Sequence, residues 1–385
     1  MGRSLLQQRP VYVVGIGLHR YQKESERGYV ELGLTAVREA LDDAGIQWPN
    51  VESAIVGNAL LGMAPGRAML RHLGASGLSI AQVENASASG STAFRQACLE
   101  VASGTSDVAL ALGVDKPGAV PLSMSWTGTE RLSRISPITS FALLMNDYMH
   151  RYGVSAEQIA AVAVKNHGNA AHNRYAQFQR ERTLEEVMQH PVAGPLTRLQ
   201  CCAFGEGAAA AIVASGQAIE DLGVDASRAV QVIASVSRSE RVFEPEQSVI
   251  VELTRETAAQ AFEEAAVGPA DLDVVEVHDA FSIEELLYTE ALGLCGEGEG
   301  AAYLAEGKSH IGGECAVSAS GGLIAMGHPL GPTGVGQVAE VTRQLRGEAG
   351  VRQQRRARLG LTHMVGLGQV CLVHILRGPG GGQEP

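Results

Sequence analysis

Residues 318–334 read Ser-Ala-Ser-Gly-Gly-Leu-Ile-Ala-Met-Gly-His-Pro-Leu-Gly-Pro-Thr-Gly. A glycine-rich strand-to-helix turn lets backbone and ligand approach closely. His328 sits inside it, held between Gly327 and Pro329, so this proton-carrying side chain is placed rather than merely tolerated. Three other turns have a similar character. Ser87, in Asn85-Ala86-Ser87-Ala88-Ser89-Gly90, stands where a helix should open; alone it could be only an N-cap. His278-Asp279 ends an apolar run and could be a strand-end cap. Gly366-Leu367-Gly368 reads as a hairpin. An α/β-hydrolase elbow needs Gly-x-Ser-x-Gly, and the residues around Ser87 do not supply it.

The elements that would carry these turns alternate in type. Apolar runs at 11–18, 51–56, 80–83, 108–114 and 274–277 read as strands. Helical spacing marks 30–44, 66–73, 90–102, 282–292 and 335–345. The second half echoes the first. Leu41-Asp42-Asp43-Ala44-Gly45-Ile46 matches Phe262-Glu263-Glu264-Ala265-Ala266-Val267 without a gap. The same register sets Val30-Glu31-Leu32 on Val251-Glu252-Leu253 and Val56 on Val277. A second echo pairs Gly205-Glu206-Gly207 and its strand with Gly366-Leu367-Gly368 and residues 370–376. Two echoes in one chain order indicate duplicated βα units, a mostly parallel sheet and helices on its faces. Equivalent turns would then meet about a pseudo-two-fold axis, beyond the strand ends where ligands bind open α/β sheets.

Residues 115–202 break the rhythm. They hold Trp126, a Ser/Arg-rich loop, a helical pattern from Ile138 to Arg151 and the polar stretch 165–182. They read as a lid inserted across the mouth of the first half. The expected divisions are 1–114 with 203–225 as an N-terminal half, 115–202 as the lid, 226–377 as a C-terminal half and 378–385 as a disordered Gly/Pro tail.

The composition narrows the function. A chain of 385 residues with 45% apolar and 19% charged side chains has material for two packed halves. A formal charge of −12 argues against nucleic acid or an anionic membrane as partner. No apolar run approaches the ~20 residues of a membrane span. No secretory signal is evident, and cytoplasm is the expected compartment. The six cysteines, Cys98, Cys201, Cys202, Cys295, Cys315 and Cys371, show neither metal spacing nor a disulfide framework. No metal and no bound cofactor are expected.

At these residues the chain resembles the thiolase superfamily, specifically its sterol-carrier-protein thiolase branch. The similarity runs from about Pro10 to Leu376. Segments 109–113, Lys165-Asn166-His167, Tyr175-Ala176-Gln177-Phe178-Gln179, Cys201-Cys202, His278-Asp279-Ala280-Phe281 and 321–331 carry it. The resemblance implies two α/β halves in five αβαβα layers, an inserted loop domain and a homodimer or larger assembly. It implies a coenzyme A thioester as substrate and C–C bond making or breaking. By the same resemblance His328 would activate the family's nucleophile and help hold a thioester oxyanion. His278 would assist at the enolate, and the backbone N–H groups of Ser87 and Gly366 would hold the acyl oxyanion. Ser87 stands where the family has a nucleophilic cysteine. The second, acid/base cysteine is missing from both places the superfamily supplies it, now Ala280 and Met364.

Three functions compete. A serine acyltransferase would use Ser87 with His328 as base. A lyase would cleave a 3-hydroxyacyl-CoA by retro-aldol chemistry, needing a base and enolate stabilisation but no nucleophile. That activity resembles the steroid side-chain aldolases of the superfamily, which work with a small zinc-ribbon/OB-fold partner. Its base could be His278, His328 or a tyrosine such as Tyr175. A non-catalytic protein binding acyl-CoA or lipid is the third. Loss of both thiols favours the lyase, because an alcohol is a far weaker nucleophile than a thiol near pH 7.

Overall fold

A computed structural model of the chain describes residues 4–118, 136–244, 247–367 and 369–380. Trp126, the Ser/Arg-rich loop, Gly368 and residues 381–385 of the tail lie outside that range.

The first half opens with helix α1 (Leu5–Gln8), strand β1 (Val11–Gln22) and helix α2 (Tyr29–Ala44). It continues with β2 (Ser53–Gly57), α3 (Pro65–Leu70), β3 (Ser79–Val83), α4 (Ser89–Ala102) and β4 (Val108–Asp115). The insertion holds α5 (Pro137–Tyr152), α6 (Ala156–Ala171), α7 (Leu184–Val187), β5 (Pro191–Ala193) and β6 (Leu196–Thr197). The chain then returns as β7 (Glu206–Ser215) and α8 (Gly216–Leu222). The second half runs β8 (Val230–Ser239), α9 (Val249–Ala265), β9 (Val274–Glu276), α10 (Ser282–Ala291), α11 (Gly300–Ala305) and β10 (Ala316–Val317). It ends with α12 (Leu330–Arg346), β11 (Leu359–Gly366) and β12 (Val370–Arg377).

Ten strands form one sheet in the order β10-β9-β11-β12-β8-β1-β7-β4-β2-β3. The order is the same pattern twice. Numbered within each half, both read first-fifth-fourth-second-third outward from a shared seam. At that seam Val11, Tyr12 and Val13 pair antiparallel with Val232, Gln231 and Val230. The sheet is mixed, which corrects the expectation of a mostly parallel one. Parallel pairing is confined to β2 with β3 and β4, and β9 with β10 and β11. The other five ladders, among them β11–β12 and β4–β7, are antiparallel. The fifth strand of each half arrives without a helical crossover: β12 follows β11 through a tight hairpin, and β7 returns from the insertion. Without a crossover, adjacent strands run antiparallel.

Layering follows from where the apolar faces go. Helix α2 turns Leu32, Val37, Ala40 and Leu41 inward against β1, β7 and β4. Each such fully buried side chain contributes roughly 1.5–3 kcal/mol relative to exposure. Helix α9 does the same for the second half through Leu253, Ala258 and Ala261. Helices α4 and α12 lie between the halves in the largest core, with Phe94, Ala97, Val335, Val338 and Val341 fully buried. The result is two outer helical layers, two five-stranded layers and a central helical pair.

The 221-residue echo is visible in detail. Helix α2 ends on left-handed Gly45 and α9 on left-handed Ala266, each followed by a short 3-10 turn at 48–50 and 269–271. The halves differ where the insertion enters: β4 and β7 are separated by the inserted segment, whereas β11 and β12 are joined by a hairpin.

Candidate active site

Helices α4 and α12 cross closely enough to bring their N-terminal turns together. A side chain at Gly90 would stand 2.2 Å from the carbonyl of Gly331, and one at Gly334 would stand 2.4 Å from the N–H of Ser91. Only glycine permits that approach. Asp115, at the end of β4, locks the crossing. Its carboxylate accepts the N–H of Gly331 at 2.6 Å, Leu60 at 2.8 Å and Ala59 at 3.1 Å.

Ser87 and His328 sit on the two converging turns. Helix α4 begins at Ser89 with Ala88 as its cap, so Ser87 is not the N-cap. The local hydroxyl work falls to Ser89, whose Oγ accepts the N–H of Asn85 and donates to the carbonyl of Ala86. Ala86 itself is left-handed, with φ of 49°. The Oγ of Ser87 is thereby free to lie 3.1 Å from Nε2 of His328. On the other edge of the ring, Nδ1 is 2.9 Å from Oγ1 of Thr333. The Thr333 hydroxyl spends its proton on the carbonyl of Pro329 at 2.6 Å, so it can only accept from His328. That fixes Nδ1–H and leaves Nε2 as acceptor of the Ser87 hydroxyl. Burial, with His278 alongside, pushes His328 well below the usual histidine range. It is a neutral ring.

His278 lies beside it, the two rings edge to face with centroids 5.4 Å apart. Its backbone N–H points at Nδ1 of His363 on β11, at 3.5 Å. His363 is held from behind by Thr254 at 2.9 Å, and burial pushes it down to about 3. The side-chain Nδ1 of His278 faces Oε1 of Glu284 at 3.3 Å. Nε2 is buried and has no partner among the described residues.

Gly366 closes the set. A Cβ there would meet the carbonyl of Asn85 at 2.3 Å and Cβ of Ala88 at 3.1 Å. The β11–β12 hairpin of the second half is therefore pressed onto the Ser87 turn of the first. Met364, two residues earlier, is fully buried and packs with Ala88. Ala280 is buried, and its carbonyl accepts the N–H of Cys202 at 2.7 Å. Neither can carry a proton.

The glycine loop before His328 is not a simple turn. Residues 322–326 form a π-helical turn entered through left-handed Gly321 and Gly322 and left through left-handed Gly327. Asp279 lies beneath it: Oδ1 accepts the N–H of Leu323 at 2.7 Å, and a Cβ on Gly322 would stand 2.0 Å from Oδ2. From α6, Asn166 donates to Asp279 at 2.7 Å and to Glu285 at 2.9 Å, while Lys165 pairs with Glu285 at 3.0 Å. Burial and the neighbouring Glu285 charge push Asp279 well above the usual carboxyl range. Asp279 supports the loop and does not orient His278. The inserted segment also joins by backbone, with the N–H of Gln177 on the carbonyl of Met326 and that of Phe178 on Ala325.

Ser87, His278, His328 and Gly366 thus come together, with Ala280 and Met364 at their margin. Tyr175 does not join them. Its hydroxyl is bound to Glu39 of α2 and to Arg174, and its ring is stacked under Arg343. A phenol so engaged is no candidate base. Sequence reasoning missed Thr333, Glu284 and Asp115. Thr333 is five residues after His328 and Glu284 six after His278, within reach once each helix is drawn from its first turn.

This fold is that of the thiolase superfamily. Residues 19–217 match the model of the thiolase N-terminal domain and residues 234–377 that of the thiolase C-terminal domain-like family. The chain belongs to the thiolase superfamily. It is 39% identical to sterol carrier protein 2 of Rattus norvegicus, over 95% of this chain and 72% of that one. It is 38% identical to benzoylsuccinyl-CoA thiolase subunit BbsB of Thauera aromatica, over 94% of this chain and 96% of that one. Among solved structures, an Ltp2-ChsH2(DUF35) aldolase chain matches with a TM-score of 0.82 at 23% identity, covering 96% of this chain and 98% of that one. Human mitochondrial 3-ketoacyl-CoA thiolase in complex with CoA matches at 0.75 and 19%, covering 98% and 100%. No helix among the described residues is long and apolar enough to cross a membrane.

Proposed function

We propose that this chain makes or breaks a C–C bond in an acyl-CoA thioester, by retro-aldol cleavage of a 3-hydroxyacyl-CoA together with a small zinc-ribbon/OB-fold subunit. The observation that carries the reading is the edge-to-face pair of His278 and His328 beside Ser87, with Ala280 and Met364 buried nearby; by the resemblance these last three stand at the family's thiol positions. Claisen chemistry by thiolysis needs a good nucleophile and a second proton carrier. Retro-aldol cleavage needs a base and a place for the enolate. The backbone N–H groups of Ser87 and Gly366 are the oxyanion donors in this reading. A relative named as a thiolase subunit, and a fold neighbour solved with a DUF35 protein, support a two-component enzyme. The repeated strand order supports halves at 1–114 with 203–225 and at 226–377, with 115–202 as lid.

One observation favours a second reading. Ser87, His328 and Thr333 form a nucleophile, base and orienter in line, the arrangement of a serine acyltransferase. Mass spectrometry of products from 3-oxoacyl-CoA and 3-hydroxyacyl-CoA panels, with and without free coenzyme A, separates the two. Release of an aldehyde or ketone without free coenzyme A supports the lyase. Chain shortening that requires coenzyme A supports acyl transfer and sinks it.

A further inference from the structure

We infer that Glu284 makes His278 the general base of the site. This rests on the retro-aldol reading. Glu284 is the third residue of α10 and is 1% exposed. Its Oε2 accepts the N–H of Phe281 at 3.0 Å, closing the helix start, and its Oε1 accepts the hydroxyl of Tyr288 at 2.9 Å. Both neighbours are donors, so the carboxylate is presented with protons and offers only lone pairs. The third group on it, Nδ1 of His278 at 3.3 Å, must therefore carry its hydrogen inward. In the neutral ring that leaves the lone pair on Nε2, which is buried and has no partner among the described residues, on a ring that lies beside that of His328.

The two histidines differ in what stands behind them. His328 is backed by the neutral hydroxyl of Thr333, which cannot stabilise a second ring proton. His278 is backed by a carboxylate, which can. The charged and titratable groups that face His278 are Glu284 from α10, His328 from the glycine loop, His363 from β11 and the adjoining Asp279. Of these only Glu284 is hydrogen-bonded to its ring.

The step balances without a co-reactant. The 3-hydroxyl proton of the substrate passes to Nε2 of His278. The hydroxyl oxygen keeps its electron pair and becomes the carbonyl of the released aldehyde or ketone, as the bond between C2 and C3 breaks. That bond's electrons form the thioester enolate. The imidazolium returns the same proton to C2, giving a shortened acyl-CoA and the resting ring.

Glu284 is a positioning residue, and its variants should move a readout that a structural role would leave alone. Gln at 284 still closes the helix start, since Glu and Gln both serve at that position. For the enzyme with its partner subunit, Glu284→Gln should lower kcat by on the order of 10²-fold, the low end of what general base catalysis contributes. It should also shift the acid limb of kcat/KM to lower pH, because the imidazolium has lost its carboxylate. Tyr288→Phe keeps the ring against His363 but removes a donor from Glu284, so its acid limb should shift to higher pH. Opposite shifts establish the assignment. Lyase turnover with an acid limb unmoved in both variants overturns it while leaving the retro-aldol reading intact. Absence of aldehyde or ketone release from the parent overturns the reading and the assignment with it.

Discussion

The Oγ of Ser87 stands 3.1 Å from Nε2 of His328, although 241 residues separate them. Each lies two residues before the start of one of the two central helices, and the hydroxyl has its hydrogen directed at a neutral, buried ring. The two readings of the site part company at this contact. Ser87→Cys places a thiol next to His328 and should become acylated by acyl-CoA, seen as a mass increase of the intact protein, while the parent accumulates no adduct. Ser87→Ala should keep turnover under the retro-aldol reading. Abolition of the native reaction in that variant, with an ester trapped on Ser87 in the parent, would establish serine acyl transfer instead.

His328→Ala removes the ring shared by both readings. Because Nε2 presents a lone pair to the site, the ring can act there only as a base: under serine acyl transfer the expected loss is on the order of 10²-fold or more in kcat, the low end of general base catalysis. Thr333→Val leaves Nδ1–H of a buried ring unpaired, at a cost of about 1–3 kcal/mol. Steady-state kinetics beside a urea titration would show both; an unchanged rate in His328→Ala would remove it from the mechanism.

Gly366→Ala should cost activity more than stability. The new methyl would fall 2.3 Å from the carbonyl of Asn85, so the hairpin must lift off the Ser87 turn. Overpacking of this kind costs roughly 1–3 kcal/mol, yet the displaced atoms include the proposed oxyanion donors. A variant with full kcat would show that Gly366 contributes nothing at the site.

Glu276, at the end of β9, should give stability a pH dependence. It is fully buried, accepts the N–H of Ser320 at 2.9 Å, and faces the charge of Glu340; burial first and that charge second push it up to about 8. A carboxyl raised on folding stabilises the folded state while protonated and loses that contribution as pH climbs from about 4.5 through about 8. Glu276→Gln removes the titration. Denaturant unfolding should show the parent losing on the order of 1–3 kcal/mol more than the variant between about pH 5 and pH 9. Parallel profiles would contradict the shift.

Strand β3 is the outer edge of the sheet, with Ser79, Ala81 and Gln82 exposed. An edge with so little charge is suited to pairing with another strand. A homodimer joined there is expected; light scattering at micromolar concentration should give twice the chain mass, and Ala81→Pro should reduce it. A monomeric parent would contradict this.

Much of the fold was legible because the duplication was. Residues 41–46 and 262–267 share sequence, and α2 and α9 end there on equivalent left-handed residues. Strand direction was not legible: a short hairpin and a lid both deliver an antiparallel fifth strand, and apolar runs carry no sign of direction. At the site, His278, His328, Ser87 and Gly366 stood out because each lies in a turn whose neighbours are small or special. Glu284 and Thr333 were hidden inside helical patterns, where a carboxylate or hydroxyl reads as ordinary polar spacing until a ring is placed against it. Tyr175 was one of three alternatives for the base; its segment anchors the inserted residues on the glycine loop through backbone, leaving the phenol to Glu39.

Ser87, His278 and His328 are oxygen and nitrogen functions, and the two cysteines beside the His278–Phe281 segment, Cys201 and Cys202, are joined to it by backbone while burial drives both thiols upward. Peroxide and alkylating agents attack thiolates. If the proposed site works without an activated thiol, turnover should survive exposure to peroxide or iodoacetamide that would silence an enzyme working through an activated cysteine.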